Sequence, residues 1–178
     1  DFEVGERRVH HWGRTIALAD TILFTTLTLS FNPLYSNREF AKAHGHPDIV
    51  VNPLLVFNMV LGMSVEDNSE IGGPFVGVGQ LTHRQPVYPN DTLVSRSTTR
   101  AKRPSASNPA NGIVTWWTEG FNQRDELVAV CKRSALMLRK VFSAQAEDLF
   151  KPAPKDKPAA KAKAPPKPKS KAKAKKKK

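Results

Sequence analysis

Ser30, Asn32 and Tyr35 fall within one short stretch, Thr28-Leu29-Ser30-Phe31-Asn32-Pro33-Leu34-Tyr35-Ser36-Asn37, and bring a hydroxyl, an amide and a phenol together. A phenol ionises near pH ~10 and can donate a proton where its anion is stabilised. A serine hydroxyl is a poor base unless a neighbour activates it. Tyr35 also suits a half-buried packing position with its hydroxyl satisfied, and Ser30 a turn or cap. Glu39, His44 and His46 follow closely as alternative bases. His44 and His46 flank Gly45 in an expected loop, and Glu39 sits in a short helix, so all three read more readily as solvated residues. A second group begins at Asn52-Pro53-Leu54-Leu55. The first N–H groups of a helix can hold negative charge. Pro53 has none, so Leu54 or Leu55 would serve, beside the Asn52 amide. Asn52 is at the same time a helix cap. Lys102 and Arg103 suit phosphates through charge-assisted bonds, or form a solvated strand end.

The elements that must position these groups follow from the pattern. Phe2 to Ile16 reads as an opening strand and turn, punctuated by Gly5 and Gly13. Ala17 to Leu29 is apolar and Thr-rich, and fits helix or strand. Ser36 or Asn37 caps a short helix from Arg38 to His44, Gly45 suits its C-terminal end, and Pro47 bars continuation. Asn52 to Val65 is the most hydrophobic segment, with Pro53 in the favoured first helical position. Apolar on nearly every side, it predicts a buried helix, too short to span a bilayer. Four strands are expected after it: Phe75 to Arg84, Thr92 to Arg103, Gly112 to Asn122 and Glu126 to Leu138. Gly72-Gly73 and Gly77-x-Gly79 read as loop and bulge glycines. Trp116-Trp117 puts one ring on each face of a strand, one for the core and the other for an interface. One long helix followed by four strands predicts an α+β fold, an antiparallel sheet around a central helix.

The chain has 178 residues and a net charge of +12, which at first suggests nucleic acid. The distribution argues otherwise. Residues 151–178 hold thirteen Lys and one Asp, while 1–150 balances fifteen basic against fifteen acidic residues. A Lys/Ala/Pro tail, taken from residue 146 to 178, has little with which to bury apolar surface and is expected to be disordered. It reads as a solvated tail first, and as a weak electrostatic contact for polyanions second. The domain proper is expected over 1–145. Cys131 is the sole cysteine, which excludes an intrachain disulfide and fits a reducing cytoplasm. There is no apolar run of membrane-spanning length, no signal-peptide pattern, no Cys/His metal cluster and no Gly-rich loop with Lys for a nucleoside triphosphate.

Several segments in order resemble one family. Ser30-x-Asn32-Pro33-Leu34-Tyr35 resembles the Asp-x-Asn-Pro-Leu-His signature of the MaoC-like (R)-specific enoyl-CoA hydratases, with Ser30 in place of Asp and Tyr35 in place of His. Gly13-Arg14-Thr15-Ile16 with Ala19-Asp20 looks like that family's opening. Val51-Asn52 and Gly62-Met63-Ser64-Val65 resemble the central helix of its mesaconyl-CoA hydratase (methylmalyl-CoA dehydratase) branch. Pro86-Val87-Tyr88-Pro89-Asn90-Asp91-Thr92-Leu93 resembles the turn Pro-Val-x-Pro-Gly-Asp-Thr-Leu, with Asn90 replacing Gly. Lys102-Arg103, Asn111 to Thr115 and Gly120 to Gln123 match the following hairpin. The resemblance implies the hot-dog fold over roughly residues 2–140 and an acyl-CoA thioester as ligand, with no separate cofactor. It also implies a homodimer or higher homo-oligomer. Its chemistry is hydration of a short branched or dicarboxylic enoyl-CoA, such as mesaconyl- or itaconyl-CoA. Tyr35, Ser30 and Asn32 would stand at the catalytic positions, and Asn52, Leu54, Lys102 and Arg103 would bind substrate. The alternatives are a non-catalytic acyl-CoA-binding subunit with a degenerate site and a thioesterase. The latter would want a carboxylate near the central helix, where Asn52 to Val65 offers none.

Overall fold

A computed structural model describes residues 2–70 and 75–139. The Lys-rich tail from 146 onward and the Gly72-Gly73 pair lie outside the described residues. One antiparallel sheet holds five strands, β1 (Arg7–Thr15), β2 (Phe75–His83), β3 (Thr92–Pro104), β4 (Asn111–Phe121) and β5 (Leu127–Leu138). Their order across the sheet is β1-β3-β4-β5-β2. The four expected strands after the helix are all present, each within a residue of the expected bounds. Irregular register between Phe75 and Gly77 and between Gly79 and Thr82 marks β2 as bulged where its glycines fall. The helical segments are α1 (Leu18–Leu27), a 3-10 turn (Pro33–Tyr35), α2 (Arg38–Ala43), α3 (Pro53–Met63) and α4 (Val65–Ser69).

Local chemistry explains these bounds. Asn37 Oδ1 accepts from the Phe40 N–H and starts α2, and Gly45 beyond it has φ +85°. Asn52 caps α3 by accepting from the Leu54 N–H, with Pro53 opening the helix. The segment open to either reading, Ala17 to Leu29, is the helix α1, closed by an internal box in which Asp20 accepts from the Ala17 N–H. Asn90 adopts φ +76°, the left-handed conformation that glycine favours and Asn tolerates. The Asn-for-Gly exchange therefore preserves the turn. Asp91 beside it accepts from the Tyr88 N–H and the Gln123 side chain, which ties the β3 start to the β4–β5 turn.

The central helix departs from one expectation. Only Val56, Val60 and Met63 of α3 are buried, while Leu54 is 51% exposed and Asn58 and Gly62 also face outward. The sheet covers one side of the helix, and nothing in a single copy of the described residues covers the other. Where helix and sheet meet, a Cβ on Gly120 would come within 2.2 Å of Val60 Cγ2. The contact admits no side chain at that point of β4.

Under α3 the core includes Ile16, Val51, Leu93 and Val128. A second cluster, Val114, Trp116 and Ala135, lies toward the other end of the strands, with Phe2 edge-on to Trp116 at 5.2 Å. A buried polar layer separates them. His10 Nδ1 lies 2.6 Å from Asp67 Oδ2, and its Nε2 lies 2.8 Å from Ser97 Oγ. With Asp67 ionised, Nδ1 carries the proton and Nε2 accepts from the serine. Ser97 also meets Thr118 at 3.1 Å. Arg133, buried in the same layer, donates to the Ser64 carbonyl and stacks over Trp116. Desolvation pushes the Arg133 guanidinium down to about 10. Trp116 is thus the core ring of the Trp pair.

Gly120→Ala forces the helix off the sheet or Val60 out of its rotamer. It should cost about 1–3 kcal/mol in urea melts, and Val60→Ala in the same chain should recover part of that loss. A second expectation concerns acid. Burial lowers the His10 pKa below its ordinary 6.5, against the opposing pull of Asp67 and with a smaller contribution from Arg133 and Arg8. The unfolded chain therefore takes up this proton first. Stability from His10 is complete above pH 6.5 and is lost as pH falls through the lower folded value. Melting temperatures of His10→Gln should depend less on pH, as pH falls from neutrality through 6.5 and below, than those of the parent.

Candidate functional site

The head of α3 organises the site. Asn52, 1% exposed, donates its backbone N–H to Thr21 Oγ1 at 3.3 Å and its Nδ2 to Ser30 Oγ at 3.2 Å. Its Oδ1 accepts from the Leu54 N–H at 3.0 Å, and its carbonyl accepts from the Leu55 N–H at 2.9 Å. Ser30 and Asn52, distant in sequence, are therefore in direct contact. Both backbone donors named as anion holders are already engaged in the cap, and the Leu54 side chain faces solvent. Asn32 Oδ1 accepts from the Leu34 N–H and caps the 3-10 turn that carries Tyr35. Asn32 is thus a positioning residue in this structure, with its side chain at the surface.

Extended chain on either side builds a wall beside this point. The Val50 N–H donates to the Leu34 carbonyl, and the Val51 N–H donates to the Val87 carbonyl. These bonds bring the Tyr35 turn, the approach to α3 and the segment after β2 together. They enclose a concavity of about 340 Å³. Leu34, Val50, Val51 and Val56 form its apolar lining, and Tyr35, His83, Arg84 and Gln85 supply its polar groups. His83 remains exposed at the margin of the hollow, and its partial burial there lowers its pKa below the ordinary histidine value of 6.5. Its imidazole is therefore neutral at neutral pH and able to accept a proton. A phenol and an imidazole thus line one mostly apolar hollow beside the N-terminus of the half-covered helix α3, a suitable setting for acid–base work.

Other sequence candidates lie elsewhere. Glu39 pairs with Lys42, His44 Nδ1 meets the Phe40 carbonyl, and His46 Nδ1 meets the Tyr88 hydroxyl. Lys102 donates to the Phe2 carbonyl at 2.8 Å and lies 3.8 Å from Glu3. Arg103 reaches only the Pro104 carbonyl, at 3.5 Å. Both stand at the far end of β3 from the α3 contact, and neither lines the concavity. Sequence reasoning missed His83, Arg84 and Gln85. The only available signal was a run of three polar, hydrogen-bonding side chains at a strand end just before Pro86. Among the described residues no group of side chains is arranged to hold a metal ion, and no helix is long and apolar enough to cross a membrane.

Comparison with known proteins gives the family and the fold. The mesaconyl-CoA hydratase family profile matches residues 1–173. The chain is 32% identical over 146 residues, 82% of its length, to a mesaconyl-CoA hydratase of Cereibacter sphaeroides. It is 32% identical over 152 residues, 85% of its length, to a β-methylmalyl-CoA dehydratase of Chloroflexus aurantiacus. It spans 42% and 43% of the length of these two relatives. Among solved structures, a protein described as a MaoC-domain dehydratase from Chloroflexus aurantiacus superposes with a TM-score of 0.74 at 29% identity, covering 94% of this chain and 44% of that one. The (R)-hydratase of A. caviae superposes at 0.61 with 21% identity, covering 78% and 98%. The fold is the hot-dog fold.

Proposed function

Because the chain belongs to the mesaconyl-CoA hydratase family, we propose that it adds water to a short branched or dicarboxylic enoyl-CoA of the mesaconyl type. The observation that carries this reading is the presence of Tyr35 and His83 in one hollow at the head of α3. Hydration needs a base for water, an acid for the α-carbon and donors for the thioester oxygen. His83, neutral at working pH, takes the proton from water as the hydroxyl oxygen bonds to the β-carbon. The electron pair moves toward the thioester, and Tyr35 delivers a proton to the α-carbon. Gln85 supplies a donor for the developing charge, since the α3 N–H groups are committed to their cap. Ser30 buttresses Asn52 in this scheme.

One observation favours a second reading. The Ser30 hydroxyl accepts from Asn52 and is engaged in that contact. A non-catalytic acyl-CoA-binding subunit with a degenerate site has this feature. The two readings separate by mass spectrometry of an enoyl-CoA panel incubated with the protein. Gain of one water supports hydration, loss of CoA would indicate thioesterase, and no change supports binding alone.

For the hydratase, Tyr35→Phe and His83→Gln should each lower turnover by on the order of a hundredfold with little change in melting temperature. The acid limb of the rate profile should lie below pH 6.5, because the base acts when deprotonated and its pKa is lowered. Activity that survives both substitutions would remove this pair from the mechanism. Restoring the resembled pair, Ser30→Asp with Tyr35→His, should raise hydration only if the site is a decayed form of the family's own.

The reading includes a second hot-dog unit, another copy of this chain. Among the described residues both sheet edges are open, and the outward side of α3 carries exposed Leu54 next to a half-buried Leu61. Open edges and apolar faces favour pairing. Light scattering should give at least twice the monomer mass at micromolar concentration, and a strict monomer would count heavily against this part.

A further inference from the structure

The sheet has a second hollow, on the face turned away from α3. Alternation along the strands places Thr98 and Arg100 of β3 and Trp117 and Glu119 of β4 on this outer side. With Leu127 and Val130 of β5 they line a concavity of about 320 Å³. Its floor is apolar and aromatic, formed by the half-buried Trp117, Leu127 and Val130. Trp117 is the ring left over once Trp116 fills the core. Arg84 and Arg100 stand at its margin.

These two arginines differ from a neighbour on the same face. Arg96 lies over the Phe121 ring at 4.2 Å and is paired with Asp125. Neither Arg84 nor Arg100 has a side-chain hydrogen bond, ion pair or ring partner among the described residues. An aromatic floor between two unpaired guanidiniums has the chemistry of a site for a planar base carrying phosphates. Glu119 adds an acceptor suited to the exocyclic amine of adenine. The location supplies the second argument. Arg84 lines both this hollow and the one that contains Tyr35 and His83. Its backbone N–H donates to the Val128 carbonyl at 2.8 Å, which fixes its base where the chain leaves β2 at the sheet edge. The two hollows therefore meet at a single side chain.

We propose that the outer hollow is an adenine-nucleotide subsite, in which Trp117 stacks the base while Arg84 and Arg100 hold phosphates, and that the nucleotide half of the acyl-CoA occupies it. The assignment to CoA rests on the function proposed above. The thioester then enters the inner hollow and the nucleotide passes beyond the end of β2, with Arg84 between them. Lys102 and Arg103, tied to the N-terminal segment or to their own strand end, take no part.

The test uses the full chain and does not depend on turnover. Calorimetry with adenosine 3′,5′-bisphosphate should show binding, weakened roughly tenfold or more by Trp117→Leu and by Arg100→Gln. Melting curves of both variants establish that they remain folded. CoA should compete with the bisphosphate. In kinetics, the same variants should raise KM for the enoyl-CoA while leaving hydration of the matching enoyl-pantetheine unchanged, since that substrate lacks the nucleotide. No binding of the bisphosphate, or binding indifferent to both folded variants, overturns the subsite. Binding of the nucleotide without competition from CoA supports the subsite and overturns its assignment to CoA. Nucleotide binding in a protein that hydrates nothing would sink the hydratase reading and leave the subsite standing.

Discussion

Asn52 holds the rest of the structure to the site. A buried amide is costly unless its polar groups find partners, and Asn52 finds its partners in three separate segments. The backbone N–H reaches α1 at Thr21, Nδ2 reaches Ser30 ahead of the Tyr35 turn, and Oδ1 with the carbonyl starts α3. A change in one of these segments leaves a buried partner unpaired in another. The same network has a chemical consequence. By engaging the first N–H groups of α3 in its cap, it withdraws them from a ligand, and the proposed mechanism therefore draws its donor from the side chains at the end of β2.

The polar layer around His10 and Arg133 has a comparable logic on the other side of the helix. It splits the core into two apolar clusters, at a cost in desolvation that the Asp67 and Ser97 bonds offset. His10 belongs to β1 and Asp67 to α4, so the contact holds an edge strand against the short helix after α3. Gly120 then lets α3 lie close on the sheet between them. The orientation of the central helix is thus set by polar bonds at both ends and a steric contact in the middle, a combination that hydrophobic burial alone does not specify.

Much of this was legible in the sequence. Asn52-Pro53 marked the start of α3 because a cap and a residue with no N–H to lose have meaning only at a helix start. Four strands showed through Pro- and Asn-rich breaks, and Asn90 preserved its turn because Asn tolerates the same backbone angles as glycine. Burial of α3 was overestimated because hydrophobicity on all sides says that a face needs cover, not that one copy of the chain supplies it. The site was half legible. Tyr35 was named from its motif, and Ser30 and Asn52 were named separately, but their contact depends on the fold. Lys102 and Arg103 stand out in the sequence by charge and hairpin position, and the register of β3 places them at the end of the strand away from the concavity. His83 had no motif; only the bonds from Val50 to Leu34 and from Val51 to Val87 bring it into the hollow that Tyr35 lines.

A proton acceptor contributed by β2 changes what the missing Asp and His imply. Acid–base chemistry requires groups around one water and one carbon, and sequence proximity is only one way to obtain them. In the proposed mechanism the donor would be carried by a turn anchored through Asn32, and the acceptor by an edge strand bulged at Gly77 and Gly79. An edge strand is also the part of a sheet that a second unit can pair with. Pairing there would stiffen β2, fix the direction of His83 and Arg84 and exclude water from the hollow's rim. A lone unit, with that edge free, would hold the acceptor less firmly than the donor. Assembly and chemistry would then be coupled through one strand.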